Sequence, residues 1–172
     1  MGRSCIRRSP WPREEALASI GLTLPFMSDL PTNPPGEPPR GVVVWLTGLP
    51  SSGKSTLALR AHAQLLQQGR AACVLDGDEL RKALVPPPGY TPEARDAFYA
   101  TLAHLAALLA RQGLVVLVPA TAHRAAYRAA ARALAPAFLE VFVEVSAAAC
   151  AERDAKGLYA AVREGRAAGL PG

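Results

Sequence analysis

The sequence predicts a single α/β domain in which a parallel sheet is flanked by helices on both faces. Three observations lead there. From residue 41 onward, short apolar runs of strand length alternate with segments of helix length, the pattern of βαβ units. A glycine-rich turn joins the first run to the first helix. And 172 residues, 50% of them hydrophobic and 19% charged, suffice for one core and not comfortably for two.

The elements follow in order. Residues 1–40 form an N-terminal segment apart from the domain at 41–172. Its stretch Pro31-Thr-Asn-Pro-Pro-Gly-Glu-Pro-Pro39 cannot continue a helix or a ladder, because proline lacks the amide donor and fixes φ. An extended or disordered lead-in is expected. Met27 precedes it, and a translation start there would omit the first 26 residues. The first strand is read at 42–46, followed by the glycine loop and a helix of about four turns that ends near Gly69. A second strand at 72–75 runs into Asp76-Gly-Asp78. Thr91-Pro92-Glu93 opens a long helix with a hydroxyl cap and a first-turn proline. This helix carries Leu102, Leu105, Leu108 and Leu109 on one face and stops at Gly113. A third strand at 114–118, an alanine-rich helix at 124–134, a fourth strand at 138–145 and a short helix at 150–153 complete the pattern. No repeat of period ~20–50 is visible.

Composition narrows the function classes. No run of ~18 apolar residues is present to span a membrane. The mild apolar stretch from Ala16 to Phe26 is broken by Ser19, Thr23 and Pro25, so no signal peptide is read. The cysteines are Cys5, Cys73 and Cys150, an odd number without metal-ligand spacing, which points to reduced thiols and the cytoplasm. The net charge of +5 comes mostly from scattered arginines. A small polyanionic substrate explains it at least as well as nucleic acid, since no basic run with interleaved aromatics occurs.

Gly48-Leu49-Pro50-Ser51-Ser52-Gly53-Lys54-Ser55, followed by Thr56, fits the P-loop pattern G-x-x-x-x-G-K-[ST]. Glycines let the backbone turn tightly so that successive amides face a β-phosphate. The helix that follows adds its positive end. Lys54 reaches β- and γ-oxygens, and Ser55 offers a hydroxyl to Mg²⁺. A strand before the loop and a helix after it supply the required context, so a three-layer P-loop NTPase fold binding ATP and Mg²⁺ is expected.

Asp76 and Asp78 lie at the tip of the second strand, on the sheet edge where open α/β folds bind ligands. One carboxylate there can hold the metal's water shell, and the other can orient an acceptor hydroxyl or take its proton. Asp78 reads equally as the N-cap of a helix starting at Glu79. Arg81 faces substrate in the first case and is surface charge in the second.

With those residues in hand the chain resembles the adenylylsulfate kinase family from Gly41 to the last residue. The resemblance rests on Trp45 to Thr56, on Leu75-Asp-Gly-Asp-Glu-Leu-Arg81, and on Gly89-Tyr-Thr91 with Arg95. It continues through Gly113-Leu-Val-Val116, His123-Arg124 and Phe138-Leu-Glu-Val-Phe-Val143. Glu152-Arg-Asp-Ala-Lys-Gly-Leu-Tyr159 is similar to the family's lid signature Arg-Asp-Pro-Lys-Gly-Leu-Tyr. The resemblance implies phosphorylation of the 3′-hydroxyl of adenosine 5′-phosphosulfate by ATP. Lys54, Asp76 and Asp78 then belong to the catalytic centre, with Asp76 near the metal. Asp78, Arg81, Tyr90 (phenylalanine in most relatives), Arg95 and Lys156 serve the acceptor, while Arg153 and Lys156 close over the nucleotides. A homodimer, and association with a sulfate adenylyltransferase, are implied in the same way.

The chain departs from the family in four places. Val85-Pro-Pro-Pro88 replaces an acidic-leucine loop. Phe98 stands where the family has asparagine, and one lost neutral hydrogen bond is worth about 0.5–1.5 kcal/mol. Ala120-Thr121-Ala122 replaces Ile-Ser-Pro, which leaves Thr121 as the candidate for the position sometimes phosphorylated. The chain stops at Gly172, where relatives continue through another strand and helix. The first and second departures favour another small hydroxylated acceptor, and the last favours a non-catalytic nucleotide-binding module. His62, His104, Tyr127 and Tyr159 read as packing or surface residues, and His123 as either an interface residue or a neighbour of substrate.

Overall fold

A computed structural model of the chain describes residues 24–31, 40–154 and 157–166. The sheet has four parallel strands, β1 (Val42–Thr47), β2 (Ala72–Val74), β3 (Val115–Pro119) and β4 (Phe138–Phe142), in the order β2-β3-β1-β4. The helices are α1 (Lys54–Gln67), α2 (Gly77–Ala83), α3 (Pro92–Arg111), α4 (Ala125–Leu134), α5 (Ala147–Arg153) and α6 (Leu158–Arg163). Strand β1 is central, pairing Val44 with Leu117 of β3 and with Leu139 of β4. Because all strands run the same way, the residues following each one gather on one edge of the sheet.

Side chains alternate across a strand, and β1 is buried on both faces, hence its unbroken apolar run. Val43, Trp45, Val116 and Val118 pack toward α3 and α4. Val42, Val44, Leu46, Val115 and Leu117 pack toward Ala58, Ala61 and Leu65 of α1. Each fully buried Val or Leu contributes about 1.5–3 kcal/mol. Burial of this strand therefore outweighs the about 1–3 kcal/mol that each strained backbone residue in the adjoining loop costs.

Four expectations are corrected. The inward face of α3 is Phe98, Leu102, Ala103, Ala106, Ala107 and Ala110, while Leu108 is 47% exposed. Small side chains bring this helix close to the sheet, so its alanines share with Leu102 a contact that Leu108 does not make. Strand β4 ends at Phe142, short of the expected residue 145, although the Val143 amide still donates to the Thr47 carbonyl at 2.8 Å. Within the lead-in read as extended, Pro25–Asp29 form a 3₁₀ turn whose Met27, with Leu30 just beyond it, is buried on the α1 side of the core. Residues 1–23 and 32–39 of that segment lie outside the described residues. Finally, Asp76 rather than Asp78 caps the helix after β2, and that helix begins at Gly77.

The expected cap of α3 is present. Thr91 caps α3 by accepting from the Ala94 amide at 3.2 Å. Cys73 and Cys150 are free thiols, and burial pushes the Cys73 thiol above its ordinary value. His62 lies 3.2 Å from the Ala72 carbonyl, a tie between α1 and β2. Among the described residues no helix is long and apolar enough to cross a membrane.

Candidate active site

The loop from Gly48 to Gly53 leaves β1 at the centre of the ligand-binding edge. Gly48 has φ 142°, and a Cβ there would sit 2.6 Å from the Val143 carbonyl oxygen, so only glycine fits between β1 and the end of β4. Gly53, at φ 94°, has open space around it but a backbone that side-chain-bearing residues rarely adopt. Ser51 takes φ 62° without being glycine. Such alternation of backbone hand is the conformation from which anion-binding nests are built. The Ser51 hydroxyl is buried and has no hydrogen-bond partner. An unpaired buried hydroxyl costs free energy, and a phosphate oxygen would satisfy it.

Lys54 is 8% exposed. Its ammonium donates to the Gly48 carbonyl at 3.0 Å and to the Leu49 carbonyl at 2.6 Å. The charge is thus stored over the loop that a triphosphate would enter. Ser55 donates its hydroxyl to Asp76 Oδ2 at 2.6 Å, while Asp76 Oδ1 accepts from the amides of Asp78 (2.9 Å) and Glu79 (3.4 Å). One carboxylate therefore caps α2 and meets the first helical turn of α1. Asp76 and Ser55 bring two hard oxygens together with one negative charge, a donor set suited to Mg²⁺. That ion takes few protein ligands and fills its shell with phosphate and water. Among the described residues no group of three or more His, Cys, Asp or Glu forms a fuller metal cage.

Asp78, two residues on, is exposed and lines a different feature. A cavity of about 550 Å³ is bounded by Asp78, Arg81, Lys82, Pro87, Pro88 and Tyr90, a size that suits a nucleotide-sized ligand. Arg81 dominates it. Its guanidinium lies 3.9 Å from the Phe98 ring centroid and 4.7 Å from that of Tyr90. Nη1 also donates to the carbonyls of Pro88 (3.1 Å) and Gly89 (2.7 Å). Two aromatic faces and two carbonyls fix its plane. Phe98, only 4% exposed, is the platform beneath it, a role the sequence did not disclose. Tyr90 is 70% exposed.

A second aromatic cluster backs this wall. Tyr99 stacks on Tyr127 with centroids 4.2 Å apart, and its hydroxyl accepts from the Ala122 amide at 3.0 Å. Burial pushes the Tyr99 phenol above its ordinary value. Tyr127 donates to Asp96 at 2.5 Å, and Arg124 donates to the same oxygen at 2.9 Å. His123 meets Tyr127 edge-on. Burial, then the charges of Arg95 and Arg124, lower its pKa against the opposing Asp96, favouring the neutral ring. The charge of Arg95, on α3, is felt at both Tyr99 and His123. The Thr121 carbonyl accepts from the Thr47 hydroxyl at 2.7 Å, which ties the tips of β3 and β1.

Arg153 is exposed at the end of α5, and Lys156 lies outside the described residues. Beyond them Tyr159 donates its hydroxyl to the Pro50 carbonyl at 3.0 Å. This contact with the glycine loop also went unread in the sequence; the only signal was the aromatic residue ending the lid-like segment.

The sequence and structure match one family closely. Residues 40–172 fit the family model described as adenylylsulphate kinase. An adenylyl-sulfate kinase of Paraburkholderia xenovorans (strain LB400) is 46% identical over 137 residues, covering 77% of this chain and 75% of that protein. A bifunctional enzyme CysN/CysC of Mycobacterium tuberculosis is 45% identical over 133 residues, which are 75% of this chain and 22% of that enzyme. Among solved structures, the M. tuberculosis APS kinase CysC in complex with AMPPNP and APS superposes with a TM-score of 0.71 at 44% identity, covering 76% of this chain and 78% of that one. A phosphate loop, an acidic strand tip and an arginine-walled cavity, all within a match of that extent, place this chain in the adenylylsulphate kinase family.

Proposed function

We propose that the chain transfers the γ-phosphoryl group of ATP to the 3′-hydroxyl of adenosine 5′-phosphosulfate, giving 3′-phosphoadenylylsulfate and ADP. The observation that carries this reading is the division of labour between Asp76 and Asp78. Asp76 touches the phosphate loop through Ser55, and Asp78 lines the cavity that Arg81 walls. Donor and acceptor sites thus meet across two residues of chain, as in-line phosphoryl transfer needs.

At the donor end, loop amides and the start of α1 receive the β-phosphate. The Lys54 ammonium exchanges the Gly48 and Leu49 carbonyls for phosphate oxygens, and the Ser51 hydroxyl gains a partner. Ser55 and Asp76 would hold Mg²⁺, which supplies neutralisation of phosphate charge when bound. At the acceptor end, Asp78 orients the 3′-hydroxyl and takes its proton as the oxygen attacks. Arg81, held flat by Phe98 and Tyr90, presents its remaining N–H groups to the anionic phosphosulfate, and Arg95 adds charge. Tyr90 offers an aromatic face to the base. Arg153, with Lys156, belongs to the arm that excludes water. The mycobacterial complex with AMPPNP and APS supports this pairing of ligands. Association with a sulfate adenylyltransferase is part of the same reading; the bifunctional CysN/CysC relative, of which the matched segment is 22%, supports linkage to a second enzyme.

An ADP-release assay with Mg²⁺-ATP tests the reading across adenylylsulfate, other nucleotides and small alcohols. Turnover with adenylylsulfate above all others is expected. Turnover only with a different acceptor, or ATP binding without turnover, would overturn it.

A further inference from the structure

We propose that Tyr159 is a positioning residue for the phosphate loop, setting the Pro50–Ser51 peptide plane by holding the Pro50 carbonyl. The two partners are 109 residues apart in sequence and 3.0 Å apart in space. A trans peptide is planar, with its carbonyl and the following N–H pointing opposite ways. Fixing the Pro50 oxygen on the Tyr159 side therefore aims the Ser51 amide away from Tyr159. The turn itself is closed by the Ser52 amide, which donates to the Leu49 carbonyl at 3.2 Å. Pro50 is buried and brings no amide of its own, so its carbonyl is the handle on the peptide plane in the middle of that turn.

The loop needs such a tie at this point. Ser51 sits at φ 62°, in the left-handed region that residues other than glycine seldom adopt. Nothing in its own chemistry favours that conformation. Gly48 and Gly53 adopt their angles freely; at Ser51 the turn bond from Ser52 to Leu49 and the grip on the Pro50 carbonyl act together.

Tyr159 is itself placed with care. Asp154 accepts from the Tyr159 amide through Oδ1 at 3.1 Å and from the Ala160 amide through Oδ2 at 2.9 Å. These bonds anchor the first turn of α6 just after Gly157, whose φ is 65°. The contacts form a series: Asp154 sets the start of α6, α6 presents Tyr159, and Tyr159 holds the loop. The inference rests on the donor half of the kinase reading alone, since it concerns ATP and not the acceptor.

Titration calorimetry with Mg²⁺-ATP on the full chain, with steady-state kinetics beside it, provides the test. Tyr159→Phe keeps the ring and removes the donor. It should weaken ATP binding about threefold to tenfold, the range of one neutral hydrogen bond. The Michaelis constant for ATP should rise in step, with that for adenylylsulfate unchanged, a split that general loosening of the fold would not give. Asp154→Ala should weaken ATP binding similarly, and the double variant should be no weaker than the worse single one, as residues acting in series are not additive. ATP affinity at the wild-type level in Tyr159→Phe, or additive losses in the double variant, would overturn the inference. A wild type that binds ATP but leaves adenylylsulfate unphosphorylated sinks the acceptor assignment, while the calorimetry still decides the role of Tyr159.

Discussion

The two halves of the site are built by opposite means. At the donor end, function is written into the main chain: Gly48 fits only as glycine, Ser51 is twisted to positive φ, and Lys54 is almost wholly buried. At the acceptor end it is written into side chains. Arg81 is clamped between Phe98 and Tyr90 beside an open cavity, with Tyr90 mostly in solvent. A triphosphate presents the same shape to any P-loop enzyme, so a backbone mould serves it. An acceptor has to be told from others of its size, and that discrimination lies in exchangeable side chains.

This contrast can be broken or sharpened by mutation. Lys54→Ala should lower kcat about a hundred- to a thousandfold without loss of the fold, because the lysine holds charge and not packing. Circular dichroism with kinetics checks both parts. Arg81→Ala should raise the Michaelis constant for adenylylsulfate about 10- to 100-fold, the worth of hydrogen bonds to a charged partner, and leave that for ATP near its starting value. Equal rises for both substrates would erase the proposed division. Phe98→Leu keeps an apolar filler but removes the ring under Arg81. A rise of about threefold to tenfold in the same constant is expected, with Phe98→Tyr restoring most of it.

The smallest effect concerns pH. Partial burial pushes the Asp154 carboxyl up, but the amides of Ala160, Tyr159 and Leu158, helped by Arg163, outweigh this and hold it below its ordinary value. A folded value lower than the unfolded one means stability that is complete above the ordinary carboxylate range and lost as pH falls through the lowered value. The melting temperatures of wild type and Asp154→Ala should therefore differ by a constant amount between about pH 6 and pH 8 and converge only on strong acidification. A gap that changes across neutrality would point to a different group.

How much of this was legible beforehand follows the same division. Strand periods, the loop motif and the cap at Thr91 are local, and each could be read because its cause lies within a few neighbouring residues. On α3, Leu102 was read rightly as core and Leu108 wrongly, because burial there is decided by how closely the helix approaches the sheet, which Ala103, Ala106 and Ala110 allow. Asp76 and Asp78 could be placed on the right edge, but which of them caps α2 depends on Ser55, 21 residues earlier. Phe98 was visible only as a missing amide. Its use as a platform for Arg81 depends on how α2 and α3 meet. Tyr159 passed for packing because its partner, a proline carbonyl, has no side-chain signature at all.

The most direct trial of the account is to identify the product. Phosphorus NMR of adenylylsulfate incubated with Mg²⁺-ATP and the full chain should show a new phosphomonoester signal coupled to the ribose 3′ proton, growing in step with ADP. ADP appearing with inorganic phosphate alone, or a phosphoryl group on any other oxygen, would contradict it.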